Sequence, residues 1–299
     1  MRNRVDALGK IRIEAPWTTR LRRAAWHFCK KKPLGALGLV ICVGAVLVGL
    51  FAPVVATHDP LAQDAWDRLQ SPSTSHWLGT DDFGRDLYSR IVEGTRVSII
   101  VAFFAIGIGT SIGLVLGIIS GYFGGWVDNL LQRITEILLA FPTILFALSL
   151  VAIMGASLSN VVIALTIVFA PRTLRVIRGT VLSVKENVYV DAARSIGATP
   201  MRIMARHIAP NIMAPYLILA SALLGSAILI EATLSFLGLG VPPPHPSWGR
   251  MLSGGAQMFA MTAPWVVLFP GIAITLLVLG FNVFGDALRD VWDPKLRGR

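Results

Sequence analysis

Apolar residues occur in long unbroken blocks along the chain, without the strict alternation of a half-buried strand or the one-sided stripe of a helix in water. Two blocks are unmistakable. LGALGLVICVGAVLVGLFAPVVA covers 34–56 and VSIIVAFFAIGIGTSIGLVLGII covers 97–119, each beyond the roughly 18 apolar residues that mark a membrane-crossing helix. Four more blocks cover 134–154, 158–177, 216–237 and 264–284. At about 1.5 Å rise per residue, such lengths match a hydrocarbon core about 30 Å thick. Pro142 and Pro171 interrupt the third and fourth blocks, and Glu136 and Arg172 lie within or near them. A spanning helix tolerates proline where neighbouring groups satisfy the freed carbonyl. The pattern predicts an all-α integral membrane protein with six transmembrane helices.

Composition agrees. Of 299 residues, 54% are hydrophobic and only 15% charged, and the mean hydropathy of +0.66 lies above that of a soluble domain. Lysine and arginine then set the orientation. Ten lie in 1–33, one at Arg133, seven in 172–210 and four after 284, whereas the alternate segments hold Arg68, Arg85, Arg90, Arg96 and Arg250. By the positive-inside rule both termini are cytoplasmic. The net charge of +10 therefore reads as a topology signal and an attraction to anionic lipid. No water-facing segment is long enough for a basic nucleic-acid-binding patch. The 33 residues before the first block and the 23 within it exceed signal-peptide proportions, so 1–33 is a cytoplasmic basic segment and 34–56 an uncleaved anchor. Cys29 and Cys42 make neither a disulfide framework nor a metal spacing.

Between the first two blocks, 57–96 forms an extracytoplasmic loop rich in acids, Pro and Ser. Leu87, Ile91 and Val92 at helical spacing predict an interfacial helix at its end. Asp81, Asp82 and Asp86 with His76 could hold a cation, or the acids could be solvated, with Asp82 capping a helix. In the second block Gly109, Gly113, Gly117 and Gly121 recur every four residues, a stripe that lets another backbone approach closely, in this chain or another. Glu231, in the fifth block near its outer end, is either a functional intramembrane acid or a wet structural one. Trp248, beyond Pro242–Pro246, is either an interfacial anchor or a contact with cargo or partner. The transmembrane core is thus 97–284, with 285–299 a cytoplasmic tail.

One inner segment departs from the apolar rule. YVDAARSIGATPMRIMARHIAP reads as two short helices within 187–210. Tyr189, Ala192, Ala193 and Ile196 fall at i, i+3, i+4, i+7 on one shallow apolar face, and Gly197 can take the left-handed conformation that closes a helix. Thr199 caps the second helix, Pro200 opens it, Ile203, Met204, His207 and Ile208 share a face, and Pro210 ends it. Arg202 and Arg206 project elsewhere. From these residues alone, docking to a partner and lying on lipid headgroups stand level.

The same segment resembles the EAA loop of binding-protein-dependent ABC transporter permeases: E-A-A, three residues, G, nine residues, I-x-L-P. Asp191 stands at the Glu position, Ala192, Ala193, Gly197 and Pro210 match, and His207 and Ala209 replace Ile and Leu. HWLGTDDFGRDLYSRIVEGTRVSI, EATLSFLGLGVPPPHPSWGRML and NVFGDALRDVWDPKLRGR also resemble the dipeptide/oligopeptide branch, in particular its second, C-type permease. The resemblance implies a type I ABC importer fold in a bacterial inner membrane, with a homologous second permease, one or two ATPase subunits and an extracytoplasmic binding protein as partners. It further implies a peptide substrate, and a coupling role for Tyr189, Asp191, Ala192, Ala193, Ile196, Gly197, Arg202 and Arg206. No cofactor is expected in this chain, because ATP and Mg would bind the ATPase subunits. The chain carries no G-x-x-x-x-G-K-[ST] pattern, the lone Gly9-Lys10 lacking its companions. The alternative is a stand-alone secondary transporter or channel, which would show internal repeats or deep charges. An intramembrane enzyme would need a nucleophile and base, or a metal pair, within the blocks, and the five histidines all lie outside them.

Overall fold

The computed structural model describes residues 4–5, 11–12 and 32–292. Apart from a two-residue antiparallel ribbon, β1 (Arg4–Val5) with β2 (Ile11–Arg12), and a bridge between Thr80 and Asp86, regular structure among them is helical. The remainder of the basic segment 1–33, with Cys29, and the last seven residues of the tail lie outside the described residues.

Among the described residues five helices are long and apolar enough to cross a membrane: α1 (Pro33–Leu50), α3 (Leu87–Phe123), α6 (Leu158–Lys185), α8 (Pro200–Phe236) and α10 (Trp265–Trp292). Shorter elements are α2 (Ala52–Val55), α4 (Gly125–Leu139), α5 (Thr143–Met154), α7 (Val188–Ser195) and α9 (Trp248–Met258). The predicted third crossing at 134–154 is not one straight helix. α4 and α5 meet at 88° across Ala140, Phe141 and Pro142. Pro142 lacks an amide donor and pushes the residue before it out of helical geometry, so the ladder breaks there. Twelve residues of α5 reach only about 18 Å, too short to cross alone, so a sixth crossing exists only as the bent pair. Pro171, by contrast, sits inside an unbroken α6.

Two expectations about helix ends change. No separate interfacial helix precedes the second crossing: α3 runs uninterrupted from its Asp86 cap, and Leu87 and Val92 are buried against protein. Nor does Pro210 end a helix. A π-turn at Met204–Ile208 precedes it, in which the Ala209 amide bonds the Met204 carbonyl five residues back. The Asn211 side chain donates to the His207 carbonyl at 2.6 Å. This local rewiring carries the chain through the proline without a break.

Glycine decides the closest crossing, which is that of α3 with α6. A Cβ at Gly109 would lie 2.9 Å from the Thr166 carbonyl, at Gly113 2.6 Å from that of Ala170, and at Gly117 and Gly121 2.8 Å from the Ile177 and Val181 Cβ atoms. The partner of the glycine stripe is therefore α6 of the same chain. α1 meets α10 by the same device at Gly38 and Gly280. One large apolar core joins α3, α6, α8 and α10, with Trp248 and Met251 of α9 completing it.

Both described ends of the bundle's chain lie together, because Lys32 Nζ bonds Asp290 Oδ2 at 2.6 Å. The segment 57–86 covers the opposite end, tied to α10 by the Trp265 indole donating to the Thr80 carbonyl.

Candidate coupling site

At the end of the bundle that holds Lys32 and Asp290, α7 shows two faces. Val190 and Ala193 turn inward and join Ile177 and Val181 of α6 and Ile203, Ile208 and Ile212 of α8 in a small second core, with Leu114, Ile118 and Tyr122 of α3 packed against it. The outward face presents Val188 (84% exposed), Ile196 (85%), Tyr189 and Ala192, with Met201 of α8 also exposed. The sequence periodicity places Ala193 on the outward face and misses Val188. The observed rotation seats Val190 and Ala193 against Ile177, Val181 and Ile203 and leaves the larger Tyr189 and Ile196 outside.

The end of α7 follows the sequence reading. Gly197 has φ +79°, its amide bonds the Arg194 carbonyl at 3.0 Å, and the Ala198 amide reaches back to Ala193 at 3.1 Å. That is a Schellman-type closure, which needs the left-handed region. Nothing lies within 4 Å of a Cβ built there, so only the backbone conformation demands glycine. Thr199 then accepts from the Arg202 amide, and Pro200 opens α8. Asp191, Arg202 and Arg206 are exposed, Asp191 pairing with Arg194 at 3.1 Å. A patch of exposed aliphatic side chains on a polar rim cannot perform acid, base or nucleophilic chemistry. It can dock into an apolar groove, and α7 shares a core with α3, α6 and α8.

A second feature at this end of the bundle has no sequence signal. Asp128 on α4 receives both Arg178 Nε and Nη2, each at 2.6 Å, and also the Ser120 hydroxyl. Lys185 Nζ bonds the Gly121 carbonyl at 2.9 Å. These contacts lock α4 and the end of α3 onto α6 directly beside the second core. The partners are 50 residues apart in sequence, and nothing local links them.

The two residues set apart in the sequence as pathway or partner contacts are both enclosed. Glu231 is fully buried, its two carboxyl oxygens accepting from Ser98 and Ser235 at 2.9 and 2.8 Å, which joins α3 to α8. It is not a wet acid. Trp248 is 2% exposed, its indole donating to the Ile91 carbonyl at 3.0 Å over Gly94. That position overturns both the lipid-anchor reading and the direct-contact reading, because the ring fills space between α9 and α3.

At the opposite end the acids of 57–86 divide: Asp59 and Asp64 are exposed, Asp67 and Asp82 partly so. Asp81 and Asp86 are buried. Asp81 accepts from the Phe83 and Arg85 amides and from Arg85 Nε at 2.7 Å. Asp86, not Asp82, caps α3, accepting from the Ser89 amide at 2.8 Å. Burial pushes the Asp86 carboxyl up, but the Ser89 hydroxyl and amide, the His76 ring and the nearby His58 outweigh it and hold the group below its ordinary value. A cavity of about 340 Å³ lies beside this turn, lined by Asp81, Asp82, Arg85, Arg90, His245 and Arg250 among others.

Known proteins resemble this chain in sequence over most of its length. Residues 113–298 match the family described as binding-protein-dependent transport system inner membrane component, and residues 20–72 match the N-terminal TM domain of oligopeptide transport permease C. The chain is 46% identical over 287 residues to the dipeptide transport system permease protein DppC of Alkalihalophilus pseudofirmus, covering 95% of this chain and 91% of that one. It is 40% identical to the glutathione transport system permease protein GsiD of Escherichia coli, over 96% and 93% of the two chains. A putative peptide transport system permease protein of Brucella suis is 43% identical over 87% and 88%. These matches exclude the stand-alone transporter and the intramembrane enzyme, because the family is one component of a larger transport system. The chain belongs to the binding-protein-dependent transport system inner membrane component family, as a transport permease subunit.

Proposed function

We propose that this chain forms half of the translocation pathway of an ATP-driven importer of short peptides in a bacterial inner membrane. A homologous second permease forms the other half. Lys32 and Asp290 then mark the cytoplasmic end, and the segment 57–86 and the 340 Å³ cavity face the binding protein that delivers cargo. The basic-residue distribution supports this orientation. The relatives named for dipeptide and glutathione transport support a short peptide as the cargo.

The observation that carries the reading is the outward face of α7, four exposed apolar or small side chains beside a glycine-closed turn, fused through its inward face to three long helices. Exposed aliphatics of this kind at the membrane surface match a groove on a partner. The partner is an ATPase subunit, which binds ATP and Mg; this chain binds neither. Closure of the ATPase pair draws α7 and, through the continuous α8, tilts the bundle from inward-open to outward-open.

The test replaces Val188 and Ile196 with aspartate. Both are more than four-fifths exposed, so insertion and thermal stability are expected to stay at wild-type values. Co-purification of ATPase subunits and peptide uptake are expected to fall at least tenfold. Undiminished assembly with the ATPase would remove α7 from the coupling role.

A further inference from the structure

We propose that His58, His76 and Asp86 bind a divalent metal ion of the zinc type at the end of the bundle covered by 57–86. One ligand atom from each of the three lies within 4.8 Å of the other two. Asp86 Oδ1 is 2.9 Å from His76 Nδ1 and 3.8 Å from His58 Nδ1, and the two imidazole centroids are 4.9 Å apart. Ligands about 2.0–2.1 Å from a tetrahedral zinc lie about 3.3 Å from one another. The two spacings to Asp86 straddle that value, and the two histidine nitrogens, within 4.8 Å of each other, need to close by at most about 1.5 Å to complete a coordination triangle. His58, half-exposed at its side chain, has the freedom to make the larger adjustment.

The geometry divides the labour of the Asp86 carboxylate. Oδ2 is committed to the helix cap, accepting from the Ser89 amide at 2.8 Å and the Ser89 hydroxyl at 2.7 Å. Oδ1 is left for the two imidazoles. A metal on Oδ1 therefore leaves the cap of α3 intact. His76 offers Nδ1 to the site, and its other nitrogen, Nε2, lies 3.6 Å from Asp67 Oδ2. A carboxylate behind the far ring nitrogen is the arrangement that orients metal-bound histidines, so Asp67 is a positioning residue. Two imidazole nitrogens and one carboxylate oxygen select zinc, nickel or copper over calcium or magnesium, which favour all-oxygen shells. The exposed flank of His58 gives solvent access and leaves a fourth position for water.

The site would join two separate elements. His58 follows α2 at the exit of the first crossing, and Asp86 opens the second. Both are already held together by the His58 amide donating to Ser89 Oγ at 3.0 Å, and a metal would clasp them through side chains as well.

The test uses the purified transport assembly containing the full chain, stripped with chelator and titrated with Co²⁺ as a spectroscopic probe, then with Zn²⁺ as competitor. Variants are His58→Gln, Asp86→Asn, whose asparagine retains the helix cap, and Asp67→Asn. The expected result is one Co²⁺ per copy of this chain above the His58→Gln background, with visible bands of a tetrahedral ion displaced by Zn²⁺. Affinity falls at least a hundredfold in His58→Gln and Asp86→Asn and about 10–100-fold in Asp67→Asn. A metal content and spectrum identical in wild type and the His58→Gln and Asp86→Asn assemblies would overturn the proposal, as would octahedral spectra unaffected by the variants. His58→Gln lies on a partly exposed side chain, so the test does not hinge on a core replacement.

Discussion

Arg178 on α6 holds Asp128 on α4 through two parallel hydrogen bonds of 2.6 Å, the planar fork of the guanidinium matched to both carboxylate oxygens. Arg178 is about one-third exposed, so solvent screens the pair and its loss is worth about 1 kcal/mol rather than the value of a fully buried ion pair. Asp128→Asn is expected to lower the melting temperature of the detergent-solubilised chain modestly. Arg178→Lys, which keeps the charge but loses the fork, is expected to reduce peptide uptake more than stability, because the pair sits beside the second core under α7. A double-mutant cycle on melting temperature checks the coupling between the two residues.

The glycine stripe gives a prediction with an internal control. Gly113→Ala places a Cβ 2.6 Å from both the Ala170 carbonyl and the Thr173 Cβ, neither of which is a flexible tip. About 1–3 kcal/mol of overpacking is expected, read as reduced folded yield and a lower melting temperature. Gly107, on the same helix, has open space where its Cβ would stand. Gly107→Ala should leave both quantities unchanged, and an equal effect of the two substitutions would argue against tight α3–α6 packing.

At Gly197 the demand is conformational, not steric. Gly197→Val forces a β-branched residue to φ +79°, a penalty of about 1–2 kcal/mol confined to an exposed turn. Insertion is expected to survive while transport and stimulation of ATP hydrolysis are lost. Gly197→Asn, which tolerates the left-handed region, should retain most of the uptake. Normal uptake by the valine variant would show that the closure of α7 does not matter for coupling.

Orientation can be read with a thiol reagent that does not cross membranes, after Cys29 and Cys42 are replaced. Ser75 and Ser195 are both exposed, at opposite ends of the bundle. Ser75→Cys is expected to label in intact cells and Ser195→Cys only after permeabilisation. The reverse pattern would invert the assignment of the α7 end to the cytoplasm.

Replacing Trp248 separates its two contributions. Trp248→Phe keeps a ring over Gly94 and gives up the bond to the Ile91 carbonyl, about 1 kcal/mol. Trp248→Ala empties a site that is 2% exposed, with an expected loss of about 3–5 kcal/mol. Thermal melting of the two variants distinguishes a packing residue from a surface contact, for which both substitutions would be neutral in the isolated chain.

The sequence alone determined what depends on neighbours along the chain. Long apolar blocks announce membrane-crossing helices because the bilayer rewards them residue by residue, and Gly197 announces the end of α7 because a left-handed glycine closure is local chemistry. Glycine every four residues announces close packing, though not with what. Only the tertiary structure decided the rest. It assigned the stripe to α6 and rotated α7 so that Val190 and Ala193 are buried and Val188 is bare. It bent 134–154 by 88° and carried α8 through Pro210 on a π-turn. It enclosed Trp248 and Glu231, and it brought Asp128 to Arg178 and His58 to His76 and Asp86. The bend and the π-turn start from local proline chemistry, which fixes where the ladder is disturbed but not the geometry that results; the other outcomes share one reason, that burial and pairing are settled by which surfaces meet across the fold, and partners as far as 157 positions apart carry no local signal of one another.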